Sequence, residues 1–357
     1  MDRKENLGQD RLNVLVVEDN EYMLDVMCKA LRSLGFVQLL TAKNGKEAIE
    51  ILKMTHPNVG ASRPIDFVIS DFIMAPINGL IMLQWLRSFK ESPNRFMPFI
   101  MVSGAADLHH VQSARDHGMH EFMGKPFSVD SLYKTIQRMI DKPRQFVVTQ
   151  NYYGPDRRRR RLDPPGGKEQ RAETEDHATI VYSKDKVAKP EKASDVWLFK
   201  LPNHLKEKMG SNAMRQEFFV PDDILAEAEV ALQREAAGFI HWAKKYLDRL
   251  AKEVVAAKTV SGERHQNFDE INIIAHELRG QGGTFGYPLI TLFAKSLYEA
   301  TKLPRKEDDA ALDIAKAHID TMRAVIREDI EGDGGEIGQQ LFKSLKMVIA
   351  KHEKRTS

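Results

Sequence analysis

The chain has 357 residues, room for two domains and a connecting stretch. A 42% hydrophobic content supports packed cores, 29% charge marks a soluble chain, and no apolar run nears the roughly 20 residues of a membrane span. Met-Asp-Arg-Lys-Glu-Asn at the start leads into no signal-like apolar stretch, and a lone Cys28 excludes an intrachain disulfide. Both features fit a cytoplasmic protein without a membrane partner. The formal net charge of +2 is uninformative, because the positive charge is local.

The first 140 residues alternate strand and helix signals. Val14–Val17 is a short apolar run, as in a strand buried on both faces. Tyr22, Met23, Val26, Met27, Ala30, Leu31 and Leu34 then recur at helical spacing, and Gly35 stops the helix. Cys28 lies inside this helix and reads as core. Strands follow at Val37–Thr41, Phe67–Ser70, Phe99–Ser103 and Glu121–Met123. Helices follow at Gly45 to about Met54, Gly79–Phe89, Leu108–His117 and Ser128–Ile140. The loop His56–Pro64 precedes the third strand. Such alternation predicts an α/β domain over 11–141, a five-stranded doubly wound parallel sheet. His109, His110, His117 and His120 lack a second ligand class and read as surface residues.

Residues 142–220 lose this pattern. Between Lys142 and Arg215 there are seventeen Lys and Arg against ten Asp and Glu, with five consecutive arginines at Arg157–Arg161. The stretch reads as a basic, largely disordered linker, too poor in apolar surface to offset its chain entropy. Trp197, Leu198, Phe199 and Leu201 are the exception and read as a docking segment. The arginines have the charge to meet nucleic-acid or lipid phosphates, but a solvated linker is the simpler reading. No helix-turn-helix pattern supports sequence-specific DNA binding.

From Pro221 the chain reads as all helix to 352. Apolar positions recur from Ile224 to Val254, and further helices fit Phe268–Phe285, Pro288–Thr301, Asp308–Arg327 and Glu336–Lys351. Short breaks between them predict an antiparallel bundle.

Open parallel sheets bind ligands at the carboxyl ends of their strands. Glu18 and Asp19 follow the first strand, Asp71 ends the third, Ser103 ends the fourth and Lys125 follows the fifth. All five converge on one edge. Three clustered carboxylates call for a cation, and an all-oxygen set with open positions suits Mg²⁺. With Lys125 as a point charge and Ser103 as a donor, Asp71 is the natural nucleophile toward a phosphoryl group.

Val-Glu18-Asp19-Asn, Asp71-Phe-Ile-Met with Asn78-Gly79, Ser103-Gly104 and Lys125-Pro126-Phe127 together resemble a response-regulator receiver domain of the flavodoxin-like type. The resemblance implies that Asp71 accepts phosphate from a phosphohistidine. It implies that Glu18, Asp19, Asp71 and the Ile73 carbonyl hold Mg²⁺, that Ser103 turns toward the phosphate and that Phe122 follows it inward. Two departures stand out. Ala75 replaces the customary proline, with Pro76 one place later, and Phe122 has no hydroxyl for a tyrosine-type switch.

His276 lies one turn before Gly280, and Gly283 follows. Glycine within a helix costs up to about 1 kcal/mol against alanine, so it needs a reason. Here the glycines would bare the surface beside an exposed imidazole, and Arg279 could meet phosphoryl oxygens. Ala275-His-Glu-Leu-Arg-Gly280 with Phe285-Gly286 is similar to histidine phosphotransfer (HPt) domains, although Gln281-Gly-Gly-Thr284 is richer in glycine. The resemblance implies a second phosphoacceptor at His276. His241, His265 and His318 lack these surroundings and read as structural. No glycine-rich nucleotide boxes mark a kinase ATPase domain.

The sequence therefore describes a bacterial two-component phosphorelay protein rather than an ordinary enzyme, with the receiver catalysing its own phosphorylation on Mg²⁺. Its expected partners are a sensor histidine kinase, another receiver or an HPt protein. The rival expectation is a phosphorylation-gated regulator whose helical domain binds a protein without using His276 chemically.

Overall fold

The computed structural model describes residues 8–55, 63–104, 108–157, 178–183, 189–192, 194–259 and 264–353. Two compact units divide the chain: residues 1–123 with 129–228, and residues 124–128 with 229–357. The loop 56–62 and the arginines beyond Arg157 lie outside the described residues.

Five strands, β1 (Asn13–Val17), β2 (Gln38–Ala42), β3 (Phe67–Asp71), β4 (Phe99–Ser103) and β5 (Glu121–Gly124), form one sheet in the order β2-β1-β3-β4-β5. The β1–β2, β1–β3 and β3–β4 pairs are parallel. Every residue of β1, β3 and β4 is buried, as expected where helices cover both faces of a parallel sheet. The helices are α1 (Glu21–Ser33), α2 (Gly45–Met54), α3 (Gly79–Ser88), α4 (Leu108–Asp116) and α5 (Val129–Asp141). Asn20, Asn44 and Asn78 cap α1, α2 and α3 by accepting backbone N–H bonds, so all three helices start on asparagines. Cys28 is buried, and burial raises the pKa of its thiol.

Residues 142–220 correct the linker expectation. Their described part carries β6 (Phe146–Val148), β7 (Tyr153–Pro155), β8 (Thr179–Val181) and β9 (Trp197–Phe199), which form a second sheet in the order β7-β6-β9-β8. Two short helices follow, α6 (His204–Met209) and α7 (Ser211–Arg215). Scattered aromatic residues supply what average composition hides. Phe96 from the α3–β4 loop lies 4.9 Å from Phe146 and 4.9 Å from Phe199, ring to ring, and Tyr153 and Val181 complete the cluster. The docking expected of Trp197–Leu201 is met by β9.

The end of this stretch straps the first unit. Phe218, 1% exposed, packs against Phe36 and Tyr133. Its N–H donates to both Asp141 carboxylate oxygens at 2.9 and 3.0 Å, and its carbonyl accepts from the Gln137 amide at 2.6 Å. Lys206 pairs with Asp141 at 2.8 Å and Lys208 with Asp66 at 2.6 Å.

Arg87 is 2% exposed. Its guanidinium donates to the carbonyls of Gly118, Arg95 and Met97, contacts His120 Nδ1 at 3.3 Å and lies 5.3 Å from the Phe146 ring centroid. Burial lowers its pKa to about 9, opposed by the tyrosine oxygens of Tyr152 and Tyr153. His120 is not the surface residue expected. It is 6% exposed, and its Nδ1 also accepts the Phe99 N–H at 3.2 Å.

The C-terminal region is helical: α8 (Asp222–Arg234), α9 (Ala236–Thr259), α10 (His265–Gln281), α11 (Pro288–Thr301), α12 (Asp309–Arg327) and α13 (Gly335–Glu353). The single periodic run from Ile224 to Val254 is interrupted at Glu235. The helix expected to reach Phe285 ends at Gln281 and tightens into a 3-10 turn over Gly282–Phe285, closed by left-handed Gly286 at φ 86°. Helices α9, α10, α11 and α12 pack in a ring, with α13 against α12. Leu247, Leu250, Phe268, Ile271, Ile290, Phe293, Ile319 and Met322 are among their buried apolar residues. His318 is a core histidine whose Nε2 contacts Ser296 Oγ at 2.8 Å. Among the described residues no helix is long and apolar enough to cross a membrane.

Candidate functional site

The edge of the sheet formed by the carboxyl ends of β1 and β3 gathers three acids. Glu18 and Asp19 sit one and two residues beyond β1, and the Glu18 N–H holds the Ala42 carbonyl at 3.1 Å. Asp71 is the last residue of β3, in register with Val102 of β4. Oxygens from the three carboxylates lie within 4.8 Å of one another. Glu18 and Asp71 are 5% and 4% exposed, whereas Asp19 is exposed. The three carboxylates that the sequence places after β1 and at the end of β3 thus meet at this edge. Carboxylates packed this closely and largely out of water repel one another, so the donor set fits a hard divalent cation.

The backbone around Asp71 is tightly specified. The Phe72 N–H donates to the Val102 carbonyl at 2.8 Å, and the Gly79 N–H returns to the Phe72 carbonyl at 3.1 Å. A Cβ at Gly79 would collide with the Asp71 carbonyl oxygen, so only glycine permits this approach. The loop containing Ile73 thus turns directly into α3 at its Asn78 cap. The Ala75–Pro76 peptide in this loop is cis. Ser103 ends β4 fully buried, and Lys125, 8% exposed, follows β5. Phe122 is half-buried on β5 and packs against the main core.

His276 lies on α10 one turn past Asn272, beside the core positions Ile271, Ala275 and Leu278. It is 7% exposed, which corrects the expectation of an exposed imidazole. One neighbour lies on α11. The Tyr298 ring sits 5.6 Å from the imidazole, and the Arg279 guanidinium stacks on that ring at 4.3 Å while reaching His276 Nδ1 at 3.0 Å. Asn272 Nδ2 donates to the Tyr298 carbonyl at 2.8 Å and to Thr301 Oγ1 at 2.9 Å, fixing α11 against α10. Gly280 is buried rather than part of a bare surface. Neither Tyr298 nor Asn272 was marked by the sequence, because their role depends on how two helices pack.

Residues 14–137 match the family model described as the response regulator receiver domain, and this part of the chain is a receiver domain of two-component signalling. A hybrid signal transduction histidine kinase K of Dictyostelium discoideum is 30% identical over 154 residues, which is 42% of this chain and 12% of the relative. A probable chemotaxis protein CheY of Rhizobium etli is 29% identical over 132 residues, 37% of this chain and 94% of that protein. The sensor kinase CckA of Brucella abortus is 33% identical over 129 residues, 36% of this chain and 12% of its own length. The chain therefore spans about an eighth of the length of each of these two kinases. Among solved structures, the Vibrio cholerae chemotaxis protein CheY4 is 26% identical and covers 36% of this chain and 97% of its own, with a TM-score of 0.31.

Proposed function

We propose that this chain is a two-component phosphorelay protein, in which Asp71 takes a phosphoryl group and His276 carries one. The convergence of Glu18, Asp19 and Asp71 within 4.8 Å at the carboxyl edge of a receiver sheet carries the reading. In this reading a carboxylate oxygen of Asp71 attacks the phosphorus of a phosphohistidine. The P–N bond breaks, its electron pair returns to the imidazole nitrogen, and an acyl phosphate remains on Asp71. Glu18, Asp19, Asp71 and the Ile73 carbonyl would hold Mg²⁺, which offsets the combined negative charge of carboxylates and phosphoryl group. Lys125 supplies a positive charge to the phosphoryl oxygens, Ser103 a hydroxyl donor, and Phe122 the aromatic that moves with it. The ring of α9–α12 would act as an antiparallel HPt-like bundle, with Arg279 and Gly280 beside the acceptor imidazole. A sensor histidine kinase, another receiver or an HPt protein would be the partner, in a bacterial cytoplasm.

One observation favours a second reading. His276 is only 7% exposed and already engaged by Arg279. In that reading phosphorylation of Asp71 gates protein binding by the helical region, and His276 does no chemistry.

The test labels the full-length chain from a cognate kinase or a small acyl phosphate. Wild type should gain a base-labile label that needs Mg²⁺ and disappears in Asp71→Asn. A second, acid-labile and base-stable label, lost in His276→Gln, would establish the relay. Labelling of Asp71→Asn as fast as wild type would refute the acceptor assignment. An absent base-stable label leaves the second reading standing.

A further inference from the structure

We propose that the first unit holds a second site, a cavity for a small aromatic anion at the edge of the sheet opposite Asp71. The cavity has a volume of about 570 Å³, within the range of small-molecule sites. All its lining residues belong to the first unit. Asp66, Pro98 and His120 line it, and each directly precedes a strand, β3, β4 or β5. The cavity therefore lies at the amino ends of these strands. The five-residue β3 separates that edge from Asp71 by roughly 16 Å, at about 3.3 Å per residue. Phe96, Phe146, Tyr153 and Phe199, the aromatic cluster of the second sheet, form part of the wall. They give a flat ring a surface to pack on.

His120 supplies the donor. Its Nδ1 receives two N–H groups, the Phe99 amide at 3.2 Å and the Arg87 guanidinium at 3.3 Å. Both partners can only donate, so Nδ1 has no hydrogen, and a neutral ring carries it on Nε2. Burial, with the charges of Arg87 and Arg144, keeps the ring neutral. Nε2 makes no hydrogen bond to any described residue, although His120 is 94% buried. A buried donor without an acceptor is costly, so the cavity calls for one. Charge decides its kind. Lys90, Arg95 and Arg144 line the cavity against a single described carboxylate, Asp66, which Lys208 already pairs at 2.6 Å. A cationic ligand would meet three like charges. An anion whose oxygen accepts from Nε2–H, with its ring on the aromatic wall, satisfies donor, charge and wall together.

The experiment uses the full-length chain and three probes substituted at the same ring carbon: naphthoate, neutral naphthylmethanol and cationic naphthylmethylamine. Calorimetry reads affinity. Long-range ¹H–¹⁵N correlation on ¹⁵N-histidine reads the His120 ring, assigned by its loss in His120→Gln. The ring should be protonated on Nε2, and that nitrogen's resonance should move as naphthoate binds. Naphthoate should bind at one site at least about tenfold tighter than the alcohol, the difference a charge-assisted bond makes, and the amine should not saturate. Lys90→Glu, at an exposed position, should weaken naphthoate about three- to tenfold. Leu201→Trp, at a half-buried lining position, should fill the cavity and abolish binding. A ring protonated on Nδ1 overturns the site, as does a His120 signal unmoved at saturation. Equal affinity for acid and alcohol, undiminished binding in Leu201→Trp, or no binding at all does the same. If Leu201→Trp also lowers the urea midpoint, Lys90→Glu decides, and a change below about twofold overturns the proposal.

Discussion

Phe218→Ala tests the claim that residues 142–220 are part of the folded first unit. The ring is 1% exposed and wedged between Phe36, 6.1 Å away, and Tyr133, 5.9 Å away. The backbone bonds to Asp141, Gln137 and Tyr133 are available to alanine as well, so the substitution removes packing alone. Loss of a fully buried phenylalanine costs about 3 to 5 kcal/mol. For a unit of this size that lowers Tm by about 6 to 20 °C, at roughly 2 to 4 °C per kcal/mol. The chain has three tryptophans. In a Trp242→Phe background the remaining two, Trp85 and Trp197, both belong to this unit, so urea unfolding followed by tryptophan fluorescence reads its stability. A solvated linker would give the value of an exposed site, about 0.5 kcal/mol or less. A measured loss below about 1 kcal/mol would refute the strap.

Burial, with the neighbouring charges of Arg87 and Arg144, holds the His120 ring well below its ordinary pKa of 6.5. The unfolded chain then binds a proton that the folded one refuses, so stability should fall as pH drops below about 6.5, by up to about 1.4 kcal/mol per pH unit. His120→Gln should flatten that slope in urea midpoints measured between about pH 6.5 and 5, and an unchanged slope would assign the acid sensitivity elsewhere. Gly79→Ala should destabilise by about 1 to 3 kcal/mol and slow Asp71 labelling, because the new methyl displaces the Asp71 carbonyl; wild-type stability and rate would contradict the close approach. Asp19→Ala should raise the Mg²⁺ concentration needed for half-maximal labelling, whereas Lys125→Ala should impair phosphoryl stabilisation more than metal binding. Undiminished labelling of wild type in excess EDTA would remove the metal from the reading.

The sheet was legible because β1, β3 and β4 are mostly apolar runs that end on, or just before, the residues read as the site. Asp71 could be placed at an edge from Ile65-Asp-Phe-Val-Ile-Ser alone. Glu18 and Asp19 followed from the same logic one strand away. The second sheet was not legible. Each of its strands has three residues, too short for any periodicity, and Phe146, Tyr153, Val181 and Phe199 come together by pairing across distant strands and by packing on Phe96, which lies before the first of them. Average charge pointed the wrong way because the basic residues surround these anchors without replacing them. The environment of His276 was hidden for a related reason. The motif on α10 announces the imidazole, but the tyrosine beside it, Tyr298, stands on another helix.

Arg87 has a practical consequence for anyone dividing this chain. All three carbonyls it holds lie before residue 120, so a receiver trimmed at Asp141 keeps the arginine and its acceptors. It loses Phe146, which roofs the guanidinium, and Lys208, which neutralises the buried Asp66. Such a trimmed piece would show water two ionic groups that the intact chain shelters, along with the ring of Phe96. Its solubility and titration would then describe the cut. The first unit runs on to Ala228, inside α8, so a cut that keeps the Phe218 strap and leaves that helix whole falls at Glu235, between α8 and α9.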